Sequence, residues 1–559
     1  MPLLKVKPLK KSVVIKTLAA CFFTLTSMLV GAQSPPDAGQ LLQQNRPAPS
    51  LPKLDPTLEF RPPATAESLP GGAKVTLKEV QFTANTAFNS QQLSAVLGEV
   101  AGRSYDFSGL QALAQKVSDY YRANGYPFAR AFIPEQRFVA GVLQLVVVEG
   151  RYGEISTTGD ARFTPRALKF LAKLSSGDVI EFSRLERTLL VLNDQPGIQT
   201  SSVTRPGQAF GTGDLMVDIS PAPTFKGELG LDNHNNRYTG EYRARTQLQW
   251  DSPFMLGDQI ILRANLSDEA QYLGDLSYNL PLGTSGLRGQ VGYSSSYYQL
   301  AKQFASLDAT GKAATASTGF SYPIIRSQQR NFTLLVNYQY KKLDDKQGAA
   351  KAKNTKTSQL MPVTLQFNHR DSLGGGGVTY GNLVYTLGKL SLDASLKAAD
   401  AASAKTQGRF NKLNLDIARV QAVPINNLTL FLRIATQFTA NNLNSSEDFG
   451  LGGVNGIRAY PSGEGYGDEG WFMQLEARYQ LGKVISYTFY DVGEIKVNHT
   501  TWAADNNQRA LAGYGLGVRY NDQRWSLDAS IALRSKGGES QSDIKDRKPR
   551  LWATAAWRF

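Results

Sequence analysis

The residue types that do chemistry in enzymes are few and scattered in this sequence. The three histidines, His234, His369 and His499, are far apart, and each is expected near a strand end or in a loop. The stretch Gly463-Glu-Gly-Tyr-Gly467 is rich in glycine but lacks the lysine of a phosphate-binding loop. A metal triad or a Ser-His-Asp set stays open from sequence alone, but no spacing favours one. We therefore predict no enzymatic activity, no cofactor and no bound metal.

The same glycine-rich stretch is the start of a larger pattern. Glycine recurs too often between Gly450 and Gly470 for a helix or a strand, which predicts a loop. The residues after it alternate in character and predict a strand with two different faces. One face carries Trp471, Met473, Leu475, Ala477 and Tyr479, and the other carries Phe472, Gln474, Glu476 and Arg478. Such a strand fits either a packed core or a lipid-facing wall, and only the other segments of the sequence distinguish these two environments.

The N-terminus has the pattern of an export signal over residues 1–32. Lysines precede an apolar run from Thr17 to Val30, and small residues follow up to Ala32. A membrane-anchor helix is the alternative, but the apolar run is short. Cleavage would remove the only cysteine, Cys21, and five lysines, which lowers the net charge from +14 to +9. Because an exported chain is in a different compartment from the chromosome, we predict no nucleic-acid partner.

Residues 33–74 predict a short helix and a stiff linker. Leu41 and Leu42 lie among glutamines between Asp37 and Asn45, which fits a helix that ends at Pro47. Recurrent proline then predicts an extended segment. This helix could dock as a plug, or the whole stretch could be a disordered leader, and the sequence leaves both open.

Two small modules of β-α-α-β-β order follow, at residues 75–150 and 151–221. Asn89 with Gln92 and Ser183 with Glu186 predict capping boxes for one helix in each module. The repeat of about 70 residues indicates two copies of one unit. Open sheet edges in such units can bind an extended peptide by adding a strand. The alternative is a pair of spacer domains without a ligand.

Residues 222–559 predict a closed sheet and, after Thr224, no helix. The hydrophobic content of 42% is typical of a soluble protein. Such an average does not reveal alternating membrane strands, because half of their residues are polar. Apolar rows of about ten residues with aromatic ends fit tilted strands that cross lipid. Long and short connections alternate backward from Phe559, which gives about sixteen antiparallel strands of a transmembrane β-barrel. The segment at about 441–469 is then a long loop between strands 11 and 12. A soluble β-sandwich is the alternative, but it leaves the polar inner faces unexplained.

These features together resemble the two-partner secretion transporters of the haemolysin secretion/activation type (ShlB/FhaC/HecB). Tyr120–Tyr126 with Ala129–Pro134 looks like the family's first POTRA (polypeptide-transport-associated) domain, and Leu189–Gly197 looks like its second. The resemblance implies two POTRA domains before the barrel. Within them we expect an exported partner to contact residues that include Tyr126, Arg130, Phe132, Leu189 and Asn193.

Two barrel motifs carry the resemblance further. Gly456-Ile-Arg458-Ala-Tyr460 resembles the family's Arg-Gly-Tyr loop motif, although Ala459 replaces the glycine, and Phe489-Tyr-Asp491-Val-Gly493 resembles its inward-facing strand motif. The resemblance implies that the loop folds into the lumen and that Arg458 pairs with Asp491, with Tyr460, Phe489 and Gly493 around them. A guanidinium fork fits a carboxylate well. The alternative from the residues alone is a solvated Arg458 and an Asp491 that caps a turn.

The resemblance implies a transporter in the outer membrane of a Gram-negative bacterium, with its N-terminal domains in the periplasm. We expect it to bind an unfolded, secreted partner (adhesin- or haemolysin-like) and to export it through the lumen without nucleotide. Other expected partners are the lipid bilayer, lipopolysaccharide, and the barrel-assembly machinery through Phe559. A barrel insertase and a passive porin are the alternative functions.

Overall fold

The computed structural model describes residues 35–44, 48–53, 71, 73–504 and 506–559. The proposed export signal with Cys21, and much of the proline-rich linker, lie outside these residues. The first described element is helix α1 (Ala38–Gln44), which agrees with the predicted helix to within one residue. Two small α/β domains and a large closed barrel follow. No helix among the described residues combines the length and the apolarity needed to cross a membrane.

The first small domain packs two helices on a three-stranded sheet. Its helices are α2 (Ser90–Leu97) and α3 (Phe107–Ala123), and its strands are β1 (Val75–Thr76), β2 (Glu79–Thr83), β3 (Ser104–Tyr105), β4 (Arg130–Phe132) and β5 (Val142–Val148). The sheet order is β2-β5-β4, with β2 parallel and β4 antiparallel to β5, and β1 pairs separately with β3. Leu93, Leu113, Val117 and Leu143 are among the residues that close the core between sheet and helices.

The second small domain repeats this topology. It contains α4 (Thr164–Leu171), α5 (Phe182–Asn193), β6 (Arg151–Gly159), β7 (Ile198–Pro206) and β8 (Thr212–Pro221). Its sheet order is β6-β8-β7, so in both domains the last strand lies between the first and the middle one. The predicted repeat of β-α-α-β-β units is confirmed.

One of the two predicted capping boxes is wrong. Asn89 and Gln92 do cap α2 reciprocally, with N–H···O distances of 2.9 and 3.0 Å. Helix α5 instead starts at Phe182, and its first turn has no side-chain cap. The Glu186 carboxylate accepts a 3.0 Å hydrogen bond from the backbone N–H of Gln328, which lies in a turn of the barrel. This glutamate therefore ties the second domain to the barrel.

The barrel is closed and has sixteen antiparallel strands, as predicted. The hydrogen-bonded order follows the chain, and β26 returns to β9. The strands are β9 (Phe225–Asp232), β10 (Arg243–Asp251), β11 (Gln259–Ser267), β12 (Gln271–Pro281), β13 (Arg288–Gln299), β14 (Ala309–Arg326), β15 (Arg330–Gln347), β16 (Ala352–Asp371), β17 (Gly377–Leu392), β18 (Gly408–Ala422), β19 (Leu428–Thr439), β22 (Glu469–Leu481), β23 (Val484–Lys496), β24 (Gln508–Asn521), β25 (Trp525–Lys536) and β26 (Arg550–Arg558).

A small extra sheet lies inside the longest connection. Strands β20 (Phe449–Gly450) and β21 (Tyr466–Gly467) pair with each other and do not join the barrel wall. We call the connection 440–468, between barrel strands 11 and 12, the lumen loop. We call the end of the barrel that carries the small domains the near end, and the opposite end the far end. The lumen loop enters from the far end.

The barrel wall has an apolar outer side and a mixed inner side, because alternate residues of a strand point to opposite faces. On β22, Trp471 and Leu475 are 43% and 40% exposed, whereas Phe472 and Gln474 are 4% and 5% exposed. The prediction that this region has no helix is wrong: the connections contain two 3₁₀ helices (Lys302–Leu307 and Leu373–Gly375) and one α-helix. Helix α6 (Ala394–Ala401) lies in a far-end connection, and the Asp393 side chain caps its N-terminus. Its alanine-rich sequence favours helix where no strand is required.

The second domain is attached to the near end by several polar contacts. The Arg326 guanidinium forms a two-pronged ion pair with the Asp194 carboxylate, at 2.7 Å for both hydrogen bonds. Arg187 donates to the backbone carbonyls of Pro323 and Ile324 at 2.6 and 3.1 Å. These contacts position α5 against the turn between β14 and β15.

Candidate functional site in the barrel lumen

The lumen loop folds back into the barrel and packs against its inner wall. Leu451, Ile457, Ala459 and Tyr460 of the loop are buried in a cluster with inward-facing residues of the wall. The backbone N–H of Ile457 donates to the carbonyl of Leu451 at 2.7 Å, so the loop also holds its own fold. Its position is therefore fixed both by apolar contacts and by internal hydrogen bonds.

Arg458 lies at the centre of this site, between two carboxylates of the wall. Its Nε and Nη2 donate to the two oxygens of Asp491 at 2.8 and 2.7 Å, and its backbone N–H donates to the same carboxylate at 3.1 Å. Its Nη1 donates to Glu476 at 2.5 Å. The three side chains are 5% exposed or less. The structure thus brings together Arg458 and Asp491, and it adds Glu476, which sequence reasoning had placed only on the polar face of β22.

An aromatic ring supports the guanidinium from the wall. The Arg458 Cζ lies 3.6 Å from the ring centroid of Phe489, well inside the range of a cation–π contact. Gly515, on the neighbouring strand, leaves room for this ring, because a Cβ there would lie 2.5 Å from Phe489 Cζ. Gly493 instead lets the wall pack on itself, since a Cβ there would lie 2.6 Å from the Trp471 carbonyl oxygen.

Ala459 and Tyr460 are accommodated by the last three strands of the barrel, β24 to β26. A Cβ on Gly513 would lie only 2.3 Å from the Ala459 Cβ, so the missing side chain on β24 matches the alanine in the loop. The Tyr460 hydroxyl donates to the carbonyl oxygens of Lys536 and Gly538, at 2.8 and 3.0 Å. Trp552 Nε1 donates to the Arg458 carbonyl at 2.7 Å. Three strands therefore hold the motif that the sequence placed in one loop.

Glu464 anchors the outer part of the lumen loop, and sequence reasoning missed it. Its carboxylate is fully buried. It accepts hydrogen bonds from the Ser540 hydroxyl at 2.9 Å, the backbone N–H of Gln541 at 3.0 Å and the backbone N–H of Ser542 at 2.8 Å, and it pairs with Arg509. In the sequence, a glutamate in a glycine-rich stretch looks like a solvated loop residue. Only the fold shows that residues 540–542 of the last far-end connection bind its carboxylate.

Helix α1 occupies the lumen beside the loop. Its Asp37 cap pairs with Lys356 of the wall at 3.0 Å and accepts a hydrogen bond from the Ser445 hydroxyl of the lumen loop. Gly39 lies so close to the loop that a Cβ would be 2.5 Å from the Ser446 nitrogen. A cavity of about 540 Å³, lined by both polar and apolar residues, remains between helix, loop and wall. The helix is thus docked as a plug, one of the two possibilities that the sequence left open.

Residues 52 and 53 contact the barrel at its near end. Arg370, at the near end of β16, donates from Nη2 to the carbonyls of Pro52 and Lys53 at 3.3 and 3.2 Å. Pro52 and Lys53 therefore lie against the wall at the near end.

The five residues predicted to contact a partner lie in different environments. Arg130 is exposed on β4, an edge strand, and the half-buried Phe132 places its ring 6.3 Å from that of Phe210. Tyr126 packs against the first domain's core. Leu189 is buried in the second domain's core, and the Asn193 side-chain oxygen accepts hydrogen bonds from Thr200 at 3.2 and 3.1 Å. The prediction is therefore wrong for Leu189, which is 3% exposed and stabilises its domain, while partner contact by the other four residues stays a prediction.

A buried carboxylate organises the first domain. Glu149 accepts hydrogen bonds from the backbone N–H groups of Thr86 and Ala87 at 2.5 and 2.6 Å, and from the Tyr121 hydroxyl at 3.0 Å. Burial by itself raises the pKa of Glu149, but the hydrogen bonds from Ala87, Thr86 and Tyr121 outweigh it, so the pKa lies below its ordinary value. Arg151 adds an ion pair at 3.3 Å.

The terminal Phe559 closes the barrel seam. Its backbone N–H and carbonyl exchange hydrogen bonds with Gly227 at 3.0 and 2.9 Å. Its ring covers that glycine and lies 4.9 Å from the ring of Trp557.

Comparison with known proteins finds family models and relatives that match this chain. The model of the family "Haemolysin secretion/activation protein ShlB/FhaC/HecB" matches residues 211–520, and that of the "POTRA domain, ShlB-type" matches residues 75–150. The heme/hemopexin transporter protein HuxB of Haemophilus influenzae is 27% identical, over 82% of this chain and 84% of the relative. The hemolysin transporter protein ShlB of Serratia marcescens is 24% identical, over 84% of this chain and 83% of the relative.

A solved structure shows the same fold. CdiB from Escherichia coli superimposes with a TM-score of 0.73 at 19% identity, and the match covers 99% of this chain and 100% of that one.

Proposed function

The chain belongs to the haemolysin secretion/activation protein family, whose members are two-partner secretion transporters of the outer membrane, and from this premise we propose a route for its cargo. The POTRA domains capture an unfolded, secreted partner in the periplasm, the lumen loop and α1 rearrange, and the partner passes through the lumen to the cell surface. No nucleotide takes part. Folding of the partner outside the cell gives the transfer its direction.

The closure of the lumen carries this proposal. A barrel of sixteen strands is wide enough for an aqueous channel, and here it is filled by α1 and the lumen loop. Polar contacts join the two fillers to the wall, among them Asp37 to Lys356 and Arg458 to Asp491. Such contacts can be replaced by water or by a passing chain. A static porin has no need of a channel filled in this way.

The periplasmic domains supply the capture step. Strand β4 has an unpaired edge in the first domain's sheet, and β7 has one in the second. An extended chain can add to such an edge by main-chain hydrogen bonds, which requires no particular sequence. Arg130 and Phe132 on β4 add a charge and an aromatic contact for the side chains of the incoming strand.

The cargo is proposed to be a large exported protein of the kind that the relatives' names indicate, such as a haemolysin or a heme- or hemopexin-binding protein. The gene should have a neighbouring reading frame for a long exported chain rich in β-helix repeats. Co-expression of that chain gives the substrate for the decisive assay.

The assay measures the partner in the medium and in the periplasm. Deletion of residues 75–221 should abolish export while the barrel still inserts, because capture is lost. Arg458→Ala should also reduce export without preventing insertion. If the deleted form exports the partner as well as the full chain does, capture by the POTRA domains is wrong. If it instead blocks the insertion of other barrels and leaves export unchanged, the insertase function is favoured.

The remaining parts are assigned by the same reasoning. We propose that residues 1–32 are cleaved on export and that residues 33–74 form the plug helix with its linker. POTRA 1 then spans 75–150, POTRA 2 spans 151–221 and the barrel spans 222–559. Phe559, which ends as part of the seam, is proposed as the residue by which the barrel-assembly machinery recognises the unfolded chain. The outer wall contacts the bilayer and lipopolysaccharide.

A further inference from the structure

A groove opens on the lipid-facing side of β15–β18, toward the far end. It has a volume of about 620 Å³, and its outward-facing lining includes Tyr338, Gln359, Met361, Leu387, Lys389 and Arg409. Lys389 points away from the lumen, because its neighbour Leu390 packs inward in a cluster with Leu443 of the lumen loop. The groove therefore lies outside the export route.

Two cations lie next to each other in the part of this groove that is closer to the far end. Lys389 and Arg409 are direct partners in the register of β17 and β18, so their Cβ atoms are about 5 Å apart. Both side chains are exposed, and neither has an ion pair in the part of the chain that the structure describes. Like charges directly opposite each other destabilise a sheet. A bound anion would remove this repulsion.

The same register row supplies further hydrogen-bond donors. Gln359 is the partner of Lys389 on β16, and Tyr340 is the partner of Gln359 on β15. A side-chain amide, a phenol, an ammonium and a guanidinium thus follow one another across four strands. Guanidinium and ammonium groups with neighbouring neutral donors suit a phosphate, which has several acceptor oxygens.

The part of the groove that is closer to the near end is apolar. Leu387 lies two residues before Lys389 on the same face, and its partner in the register is Met361. Leu387, Met361 and Tyr338 are 42%, 40% and 46% exposed, so they form an open surface that faces the membrane. An acyl chain can lie along such a surface below a charged headgroup.

The height of the two cations fits the outer boundary of the membrane. The run from Gly377 at the near end to Lys389 has a rise of about 3.3 Å per residue, and with a tilt of about 40° it reaches roughly 30 Å. The apolar band of such barrels is about 25 Å tall. With the inner boundary of this band placed at Gly377, the cations lie at the headgroup level of the outer leaflet, and the apolar part of the groove lies within the band.

We propose that this groove is a binding site for a phosphorylated glycolipid of the outer leaflet, with a phosphate between Lys389 and Arg409 and an acyl chain along Leu387, Met361 and Tyr338. The cations select the phosphate, and the apolar surface selects a lipid over a free anion. The site anchors one side of the barrel, the long strands β15–β18 that also hold α1 and the lumen loop.

The test uses full-length protein in detergent, with lipid A as the probe and native mass spectrometry as the measurement. The variant is Lys389→Gln/Arg409→Gln. Loss of two charge-assisted hydrogen bonds should weaken lipid A binding at least about tenfold. The matched control is Lys346→Gln/Lys353→Gln, which removes another pair of opposed lysines further toward the far end that does not line this groove. Exposed charges without a built site contribute little, so this control should bind within about twofold of the native chain.

Two competition arms separate the lipid from a free anion. Lipid A without its phosphates should bind as weakly to the native chain as intact lipid A binds to the double variant. Inorganic phosphate at millimolar concentration should not displace intact lipid A. Equal weakening in both double variants, equal binding of the dephosphorylated lipid, or displacement by inorganic phosphate would each overturn the proposal. Circular dichroism verifies that both variants keep the barrel fold, and export is scored separately because the groove is outside the lumen.

Discussion

Replacement of Arg458 by alanine tests how the lumen loop is held. The change leaves Asp491, which is fully buried, without its cation, whereas Glu476 keeps its ion pair with Arg478 at 2.7 Å. Removing one partner of a buried ion pair costs about 3–5 kcal/mol, because the remaining charge is uncompensated. Since about 1.4 kcal/mol is a factor of ten, the docked loop should become roughly a hundred- to a few thousand-fold less favoured.

Hydrogen exchange of the backbone amides in residues 450–468 measures this equilibrium directly. In Arg458→Ala these amides should exchange faster by about the same factor, while amides in the middle of β22 and β23 stay protected. Arg458→Lys keeps the charge but loses the fork that matches Asp491, so its exchange should lie between those of the native chain and of the alanine variant.

A triple variant separates the charge from the packing. Arg458→Met/Glu476→Gln/Asp491→Asn removes the cation together with both anions, so no carboxylate is left unpaired at this site, and only the partly exposed Arg478 loses its ion pair with Glu476. Its loop should be better protected than that of Arg458→Ala. The reasoning is refuted if Arg458→Ala leaves the loop as protected as in the native chain. It is also refuted if the triple variant is as labile as the single one.

Three other changes test the lumen loop and the first small domain. Gly513→Val should displace the loop, because a Cβ at this position lies 2.3 Å from Ala459 Cβ; export should fall, and adding Ala459→Gly should restore part of it. Glu464→Ala should free residues 540–542, seen as faster tryptic cleavage at Lys545, with Glu464→Gln intermediate and an unchanged rate arguing against the anchor. Because the folded pKa of Glu149 lies below its ordinary value of 4.5, its stabilising effect is present above that pH and is lost as pH falls below it. The melting temperature of the POTRA domains, followed by circular dichroism, should therefore drop on acidification less steeply in Glu149→Gln than in the native chain.

The barrel could be predicted from the sequence because its physics is repetitive. Alternation along each strand determines which residues face lipid, and the lengths of successive connections determine which end they occupy. Trp471 and Phe472 could be assigned to opposite sides of the wall without any knowledge of their partners. The two β-α-α-β-β modules were equally visible, because their helices and strands follow local rules.

Contacts between distant segments were harder to predict. Glu476 was placed on the inner face, but only the fold shows that it shares Arg458 with Asp491. Ser183 and Glu186 have the spacing of a capping box, yet Glu186 is recruited by a turn more than a hundred residues away. Leu189 fits a surface motif and a core helix equally well, and burial decides for the core. In each case tertiary packing overrides a local pattern.

The position of α1 has a consequence for how the channel can reopen and close again. Residues 45–74 join this helix to the first POTRA domain, and a chain of that length spans at most about 100 Å when extended. This linker can therefore act as a tether: α1 can leave the lumen on the near side and stay covalently attached. Its return is then an intramolecular event, governed by a high local concentration and independent of how many transporters the membrane holds. Resealing after each cargo molecule should follow first-order kinetics with a rate that depends on the length of this tether.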